Sequence, residues 1–173
     1  MDRLDAKREQ IAEVMRERLA ADQMSNWRVA DCMTPAPLCI ESHTSVADIV
    51  RLYHAKQFRH LLVTDIWRGL VGVVSDRDVL RCFGPDGKQD LSYLNSITAA
   101  EIMSRDIVLI DAELPITQAL RLLLLHGINC LPVQREGQLV GILTGTDLHI
   151  MLEALLVAHE SGIVAPRSAL NAV

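Results

Sequence analysis

Aromatic residues are scarce in this chain. Phe, Tyr and Trp supply 3% of its 173 residues, so any core has to be built from Leu, Ile, Val and Ala. No apolar run approaches the roughly 18 residues that a membrane-spanning helix requires, and no membrane span is expected. The first ten residues, MDRLDAKREQ, are charged and hold no apolar signal core. A cytoplasmic location is the expectation. Basic charge is also in short supply. Residues 1–83 carry 12 Lys/Arg against 12 Asp/Glu, residues 99–152 carry three Arg against six acids, and the net charge is −5. No basic stripe suits a nucleic-acid backbone and nothing reads as a helix-turn-helix, so no nucleic-acid partner is expected.

The four cysteines, Cys32, Cys39, Cys82 and Cys130, have neither metal nor redox spacing. Without a secretory signal they are expected to be reduced thiols. His43, His54, His126, His149 and His159 show no ligand spacing with a second His or Cys, and no metal is expected. No nucleophile–base pair and no glycine-rich phosphate loop stands out. His54 lies six positions after Asp48, off its helical face. The chain is therefore not expected to be an enzyme, and no obligatory cofactor is expected.

What the sequence does have is a repeat. Half of the residues are hydrophobic and 23% are charged, as in a globular protein long enough for one sizeable core or two small ones. Shifted by 70 positions, Ala30, Met33, Ile40, Arg51, Leu52, Leu61 and Val63 fall on identical residues, from Ala100 and Met103 to Leu131 and Val133. One residue drops out near Trp67–Gly69. At a shift of 69, Leu70, Val71, Gly72 and Asp78 meet Leu139, Val140, Gly141 and Asp147. Cys32, Cys39 and Cys82 align with Ile102, Leu109 and Met151, which reads them as small buried hydrophobes.

Each copy has the same expected elements, βαββα. First strands are expected at 38–40 and 108–110. Ser45 and Pro115 stand at helix starts, with helices over 46–56 and 116–126, the second ended by Gly127. Strand pairs follow at 60–64 with 70–74, and at 130–134 with 139–143, each joined by a tight turn. A last helix starts after Ser75 and after Thr144. This divides the chain into an N-terminal helix (1–28), repeat 1 (29–83), a Gly/Pro/Asp/Asn-rich connector (84–98), repeat 2 (99–156) and a sparse tail (157–173). The N-terminal helix carries Leu4, Ile11, Met15 and Leu19 roughly on one side, and is expected to pack on the repeats or on a second chain.

Two spacings bear on chemistry. Ser75-x-x-Asp78 and Thr144-x-x-Asp147 both stand between a strand and a helix. Each reads as a capping box, in which hydroxyl and carboxylate serve free backbone N–H groups. The spacing by itself favours that cap; the sharper reading is a carboxylate for the hydroxyls of a ribose, with the helix N-terminus facing a phosphate. Arg59, His60 and Arg77 are either solvated or half-buried surface residues or cations for that phosphate.

The order of these elements, occurring twice, resembles the cystathionine-β-synthase (CBS) domain in the tandem arrangement called a Bateman module. The residues that carry the resemblance are Asp31-Cys32-Met33-Thr34-Pro35, Leu131-Pro132-Val133 and the two motifs running from Gly72 to Asp78 and from Gly141 to Asp147. It covers about residues 29–156. It implies two repeats packed through their sheets about a pseudo-twofold axis, with clefts that hold AMP, ADP, ATP, S-adenosylmethionine or related ligands. It also implies pairing into a homodimer and regulation of an effector protein. No effector domain is expected within this chain, so the effector is unidentified. On the family's pattern the better cleft uses Thr144 and Asp147 with Arg59, His60 and Arg77, and places adenine near Pro37, Leu38 and Cys39 with Ile142 or Leu143 opposite. The second uses Ser75, Asp78, Ile107 and Val108, where Asn129, Cys130 and Thr146 stand in place of the cations. The first cleft is expected to bind the tighter. The other reading is a structural, dimerising adaptor whose clefts are vestigial.

Overall fold

The computed structural model describes residues 3–20, 27–83 and 91–160. In chain order its elements are α1 (Arg3–Ala20), α2 (Val29–Cys32), β1 (Thr34–Pro35), β2 (Cys39–Glu41), α3 (Val46–Lys56), β3 (His60–Asp65), β4 (Gly69–Ser75), α4 (Asp76–Cys82), α5 (Leu91–Ser96), α6 (Ala99–Ile102), β5 (Ile110–Asp111), α7 (Ile116–His126), β6 (Cys130–Arg135), β7 (Gln138–Thr144) and α8 (Gly145–Glu160). The fold is the expected α/β repeat. Local chemistry sets most boundaries. Ser45 accepts the Asp48 N–H at 3.1 Å to start α3. Gly127, at φ 62°, ends α7, and Gln57 takes the same left-handed conformation to end α3. Among the described residues no helix is long and apolar enough to cross a membrane.

The chain forms two compact units, one continuous (residues 36–109) and one assembled from residues 1–35 and 110–173. In the continuous unit β2 pairs parallel with β3, and β3 pairs antiparallel with β4. Leu61, Val63 and Val74 of this sheet are wholly buried with Val46 and Ile49 of α3. Beyond α6, Ser104 exchanges two backbone hydrogen bonds with Val73, at 3.0 and 2.9 Å, and so extends the sheet past β4. In the assembled unit the strand order is β1-β7-β6-β5, with β1 antiparallel to β7 through Thr34↔Ile142 and Pro35↔Gly141. Leu131, Val133 and Leu143 are its wholly buried sheet residues, and Val29 and Ala119 join them from the helices.

The compact units are thus offset from the sequence repeats. The short helix and Met that open repeat 1 (α2, Met33) lie in the unit of β6 and β7, and those that open repeat 2 (α6, Met103) lie in the unit of β3 and β4. The glycines of the two motifs accommodate this exchange. A Cβ on Gly72 would sit 2.3 Å from Met103 Sδ, and one on Gly141 would sit 2.5 Å from Met33 Sδ and 3.0 Å from the Thr34 carbonyl oxygen. Both glycines are small because a methionine lies on them.

Several expectations are corrected. The connector carries a helix, α5, whose Leu94 is buried with α3. Residues 84–90 of that connector lie outside the described residues. Repeat 2's last helix runs on to Glu160, past the expected boundary at 156, and residues 161–173 of the tail lie outside the described residues. The first strands start one or two residues late, at Cys39 and Ile110. Cys32 is buried as expected, Cys82 is half-buried, and Cys39 is exposed, because alternation on β2 sends Ile40 inward instead. Ile11 of α1 is wholly buried and Leu4 is exposed; the Met15 and Leu19 side chains lie outside those described.

Candidate functional site

Each motif forms a corner where a strand turns into a helix. At the β4–α4 corner, Asp78 Oδ2 accepts the Ser75 N–H at 2.8 Å and the Ser75 hydroxyl at 2.6 Å. At the β7–α8 corner, Asp147 Oδ2 accepts the Thr144 N–H at 2.7 Å and the Thr144 hydroxyl at 2.6 Å. The carboxylates therefore reach back over the corner, as a residue three positions into a helix does when it caps the turn. That occupies one oxygen of each. The second oxygen, Oδ1, faces away from the cap, so capping leaves half of the carboxylate for other work.

The two corners differ at that second oxygen. Asp78 Oδ1 accepts from Arg81 Nη1 at 2.7 Å, and the Arg81 side chain is 78% exposed. Asp147 Oδ1 accepts the Thr34 hydroxyl at 3.0 Å and lies 3.3 Å from the ammonium of Lys7 on α1. Lys7 Nζ also donates to the Met33 carbonyl oxygen at 2.5 Å. Lys7 is 8% exposed and Asp147 3%. A cleft of about 180 Å³ lies beside the pair, with Leu4 and Gln10 of α1 on one side and Thr34, Thr146 and Ile150 on the other.

The expected site residues divide between the units. In the continuous unit, His60 stands opposite Ser75 across the β3–β4 ladder, and the Arg59 carbonyl accepts the Asp76 N–H at 3.1 Å. The fold therefore gathers Arg59, His60, Ser75, Arg77 and Asp78 at one end of a hairpin. Arg59 and Arg77 are exposed and His60 is half-buried. Pro37, Leu38 and Cys39 lie along β2 and its approach, where the Leu38 carbonyl accepts the Leu62 N–H at 3.4 Å. Ile107 and Val108, half-buried, precede the other unit. In the assembled unit Cys130 stands opposite Thr144, and the Asn129 carbonyl accepts the Gly145 N–H at 3.2 Å. Asn129, Cys130, Thr144, Thr146 and Asp147 form the matching hairpin end. Ile142 is 9% exposed at the β1 seam, whereas Leu143 is wholly buried and belongs to the core.

Burial holds the His60 imidazole below its ordinary value. The nearby Asp76 raises it and Arg59 lowers it by smaller amounts. His60 is therefore a neutral hydrogen-bonding group at neutral pH and not a third cation beside the two arginines. Partial desolvation by neighbouring atoms pushes the Cys39 thiol up, although the residue as a whole is exposed. Among the described residues, no group of three His, Cys, Asp or Glu could hold a metal ion.

Two participants, Thr34 and Lys7, were not among the expected site residues. Thr34 follows the repeated methionine and only the β1–β7 pairing brings it to Asp147. Lys7 is one charge among many on a polar helix, with no local signal to distinguish it.

Comparison with known proteins identifies this architecture. The family model of the CBS domain matches residues 29–84 and 99–153. The chain belongs to the CBS domain family. Its two sequence copies are the two CBS repeats of a Bateman module, and solved CBS pairs share the fold. AcuB of Vibrio cholerae aligns with a TM-score of 0.67 at 26% identity, over 81% of this chain and 98% of that one. CBSX2, solved in complex with AMP, aligns with a TM-score of 0.61 at 30% identity, over 76% and 98%. Inosine-5'-monophosphate dehydrogenase of Nitrosopumilus maritimus is 30% identical over 122 residues, which is 70% of this CBS protein and 23% of that enzyme's length.

Proposed function

We propose that this CBS pair is a regulatory module that binds an adenine nucleotide, of the AMP, ADP, ATP or S-adenosylmethionine type, and signals the occupancy to an effector protein. One observation carries the reading. Both Gly-to-Asp corners use a single carboxylate oxygen for the cap and turn the other away from it. A ribose supplies the hydroxyl donors that such an oxygen accepts, and the free N–H groups of a helix start suit a phosphate. The AMP complex of CBSX2 supports the ligand class. The proposed contacts are Asp78 and Asp147 for ribose, Ser75, Thr144 and Thr146 beside them, and Arg59 and Arg77 for phosphate. His60 is a neutral donor, and Pro37, Leu38, Cys39, Ile107, Val108 and Ile142 are apolar surface for adenine. Asn129 and Cys130 stand where repeat 1 has Arg59 and His60.

A second reading is a dimerising adaptor with vestigial clefts. It is favoured by the Lys7–Asp147 pair, which already satisfies one of the two carboxylates. Calorimetry with AMP, ADP, ATP and S-adenosylmethionine separates the two. Measurable heat, lost on substituting the aspartates, supports the sensor; silence across the series leaves the adaptor. A homodimer belongs to both readings, because Leu124 and Leu125 of α7 and Leu152, Leu156 and Val157 of α8 are exposed apolar residues.

A further inference from the structure

The two corners are the same structure with different locks. Each aspartate gives Oδ2 to its own cap at 2.6–2.8 Å, so the cap does not distinguish them. At Oδ1, Asp78 meets a side chain of its own helix that reaches out into water. Asp147 meets Lys7, which belongs to an element outside both CBS repeats. A lysine ammonium is donor-only and a carboxylate oxygen is acceptor-only. The ammonium and a ribose hydroxyl therefore seek the same atom. Lys7 and Asp147 are the buried charged residues among those described, and the cleft beside them has α1 as one wall.

Away from Lys7, few of the described α1 side chains are fully buried. Among its described side chains Ile11 is wholly buried, Ala12 and Val14 are half-buried, and Leu4 is 38% exposed. Its Arg8 reaches Glu153 of α8 at 3.0 Å, with both side chains 54% exposed, where an ion pair is weak. Among the described side chains of α1, Ile11 and Lys7 are the buried ones, so a ligand that takes the Asp147 oxygen removes one of the helix's two buried anchors.

We propose that α1 is a built-in competitor for the Asp147 corner: Lys7 takes the carboxylate oxygen that the nucleotide's ribose would use, and the nucleotide binds there only when α1 has lifted. The inference rests on the nucleotide reading above and adds its regulation. It also supplies the output of the sensor. Binding at Asp147 releases a charged helix that a partner can take up, and a partner that captures α1 opens the corner to nucleotide, since linkage is reciprocal. At the Asp78 corner the second oxygen is held by Arg81 of the same helix, an exposed side chain that yields readily to a ligand.

The test uses the full chain. AMP and ATP are titrated by calorimetry into the wild-type protein, Lys7→Ala, Ile11→Asp and the double variant Lys7→Ala/Asp147→Ala. Hydrogen exchange of the α1 amides is followed with and without AMP. If the closed form outweighs the open one tenfold, removing the competitor tightens binding at that corner about tenfold. Lys7→Ala and Ile11→Asp should both show this gain, the double variant should lose it, and AMP should speed exchange along α1 in the wild-type protein. Ile11→Asp detaches the helix without touching the carboxylate and so guards against an effect of the lysine on Asp147 alone. Binding that is present but unchanged or weakened in Lys7→Ala overturns the competitor and leaves the nucleotide reading intact, as does slower exchange of α1 with AMP. Absence of binding in every protein, Ile11→Asp included, overturns the nucleotide reading and the competitor with it.

Discussion

Asp78 and Asp147 hold equivalent positions in two copies of one motif, and their surroundings set their energetics apart. Each loses a cap when replaced by alanine, a change that costs about 1 kcal/mol. At Asp78 little else is lost, because its partner Arg81 is largely exposed. At Asp147 the substitution strands the ammonium of a buried lysine, and breaking such a pair costs about 3–5 kcal/mol unless the charge can move to water. Urea denaturation should therefore show a loss near 1 kcal/mol for Asp78→Ala and a clearly larger one for Asp147→Ala. Adding Lys7→Ala to the latter should recover part of it. Equal losses at the two positions would mean that the buried pair contributes nothing. His60 gives a pH signature at the same scale. Burial depresses its pKa, so between the folded value and the ordinary 6.5 the unfolded chain binds the extra proton. The stability that neutral His60 contributes is full above about pH 6.5 and is lost as pH falls through the folded value. His60→Gln should flatten that part of the stability–pH curve, measured by chemical denaturation from pH 5 to 8. A bound phosphate would pull the other way and raise the pKa, so nucleotide affinity should increase as pH falls toward it.

At the scale of elements, the lead-in segments decide the assembly. Met33 lies on Gly141 and Met103 on Gly72, so each methionine seals the sheet of the other repeat. Gly72→Ala and Gly141→Ala should each destabilise the protein by about 1–3 kcal/mol through overpacking. The Gly141 change should cost more, because its new Cβ also meets the backbone oxygen of Thr34, which cannot turn aside as a methionine side chain can. Thermal melting of the two single variants, and of Gly72→Ala combined with Met103→Ala, checks this; the truncated methionine should relieve the Gly72 clash. The helix α1 is the opposite case. Among its described side chains, burial of Ile11 stabilises by about 1.5–3 kcal/mol, the exposed Arg8–Glu153 pair adds about 0–1 kcal/mol, and the buried Lys7–Asp147 pair is the contact that a ligand would challenge. Its amides should accordingly exchange well before those of β6, whose Leu131 and Val133 are wholly buried.

For the whole molecule, ligand and partner act through mass action. A nucleotide at a hundred times its dissociation constant stabilises the folded state by about 2.7 kcal/mol per site. Melting in the presence of AMP should rise accordingly, and Lys7→Ala should lift the shift at a fixed AMP concentration. The proposed self-association rests on the exposed leucines of α7 and α8. Leu124 is 82% exposed and Leu125 78%, an arrangement that a solitary protein in water rarely keeps. Sedimentation at tens of micromolar should show a dimer, and Leu124→Glu with Leu125→Glu should shift it to monomer. A wild-type chain that sediments as a monomer throughout that range would remove the dimer from the proposal.

How far the sequence reaches follows from the range of the forces involved. The repeat, its strands and its helices were legible because apolar periodicity and turn residues act over a few positions. Ser45, Gly127 and the Glu136-Gly137 turn behave as their chemistry demands. Both caps were legible for the same reason, as Ser75 with Asp78 and Thr144 with Asp147 lie three positions apart. Leu91–Ser96 was not, because its neighbours in the chain are turn residues and the docking of its buried Leu94 with α3 is a long-range contact. The exchange of lead-in segments was not legible either, since the two copies look alike and either sheet could accept either methionine on pattern alone. What the tertiary structure alone decided is the state of Asp147. Thr34 reaches it from 113 positions away, and Lys7 comes from a helix whose many charges look equivalent until packing buries one of them. Local chemistry determined that each corner would carry a carboxylate turned back on its own cap; long-range packing determined which of the two carboxylates would be covered.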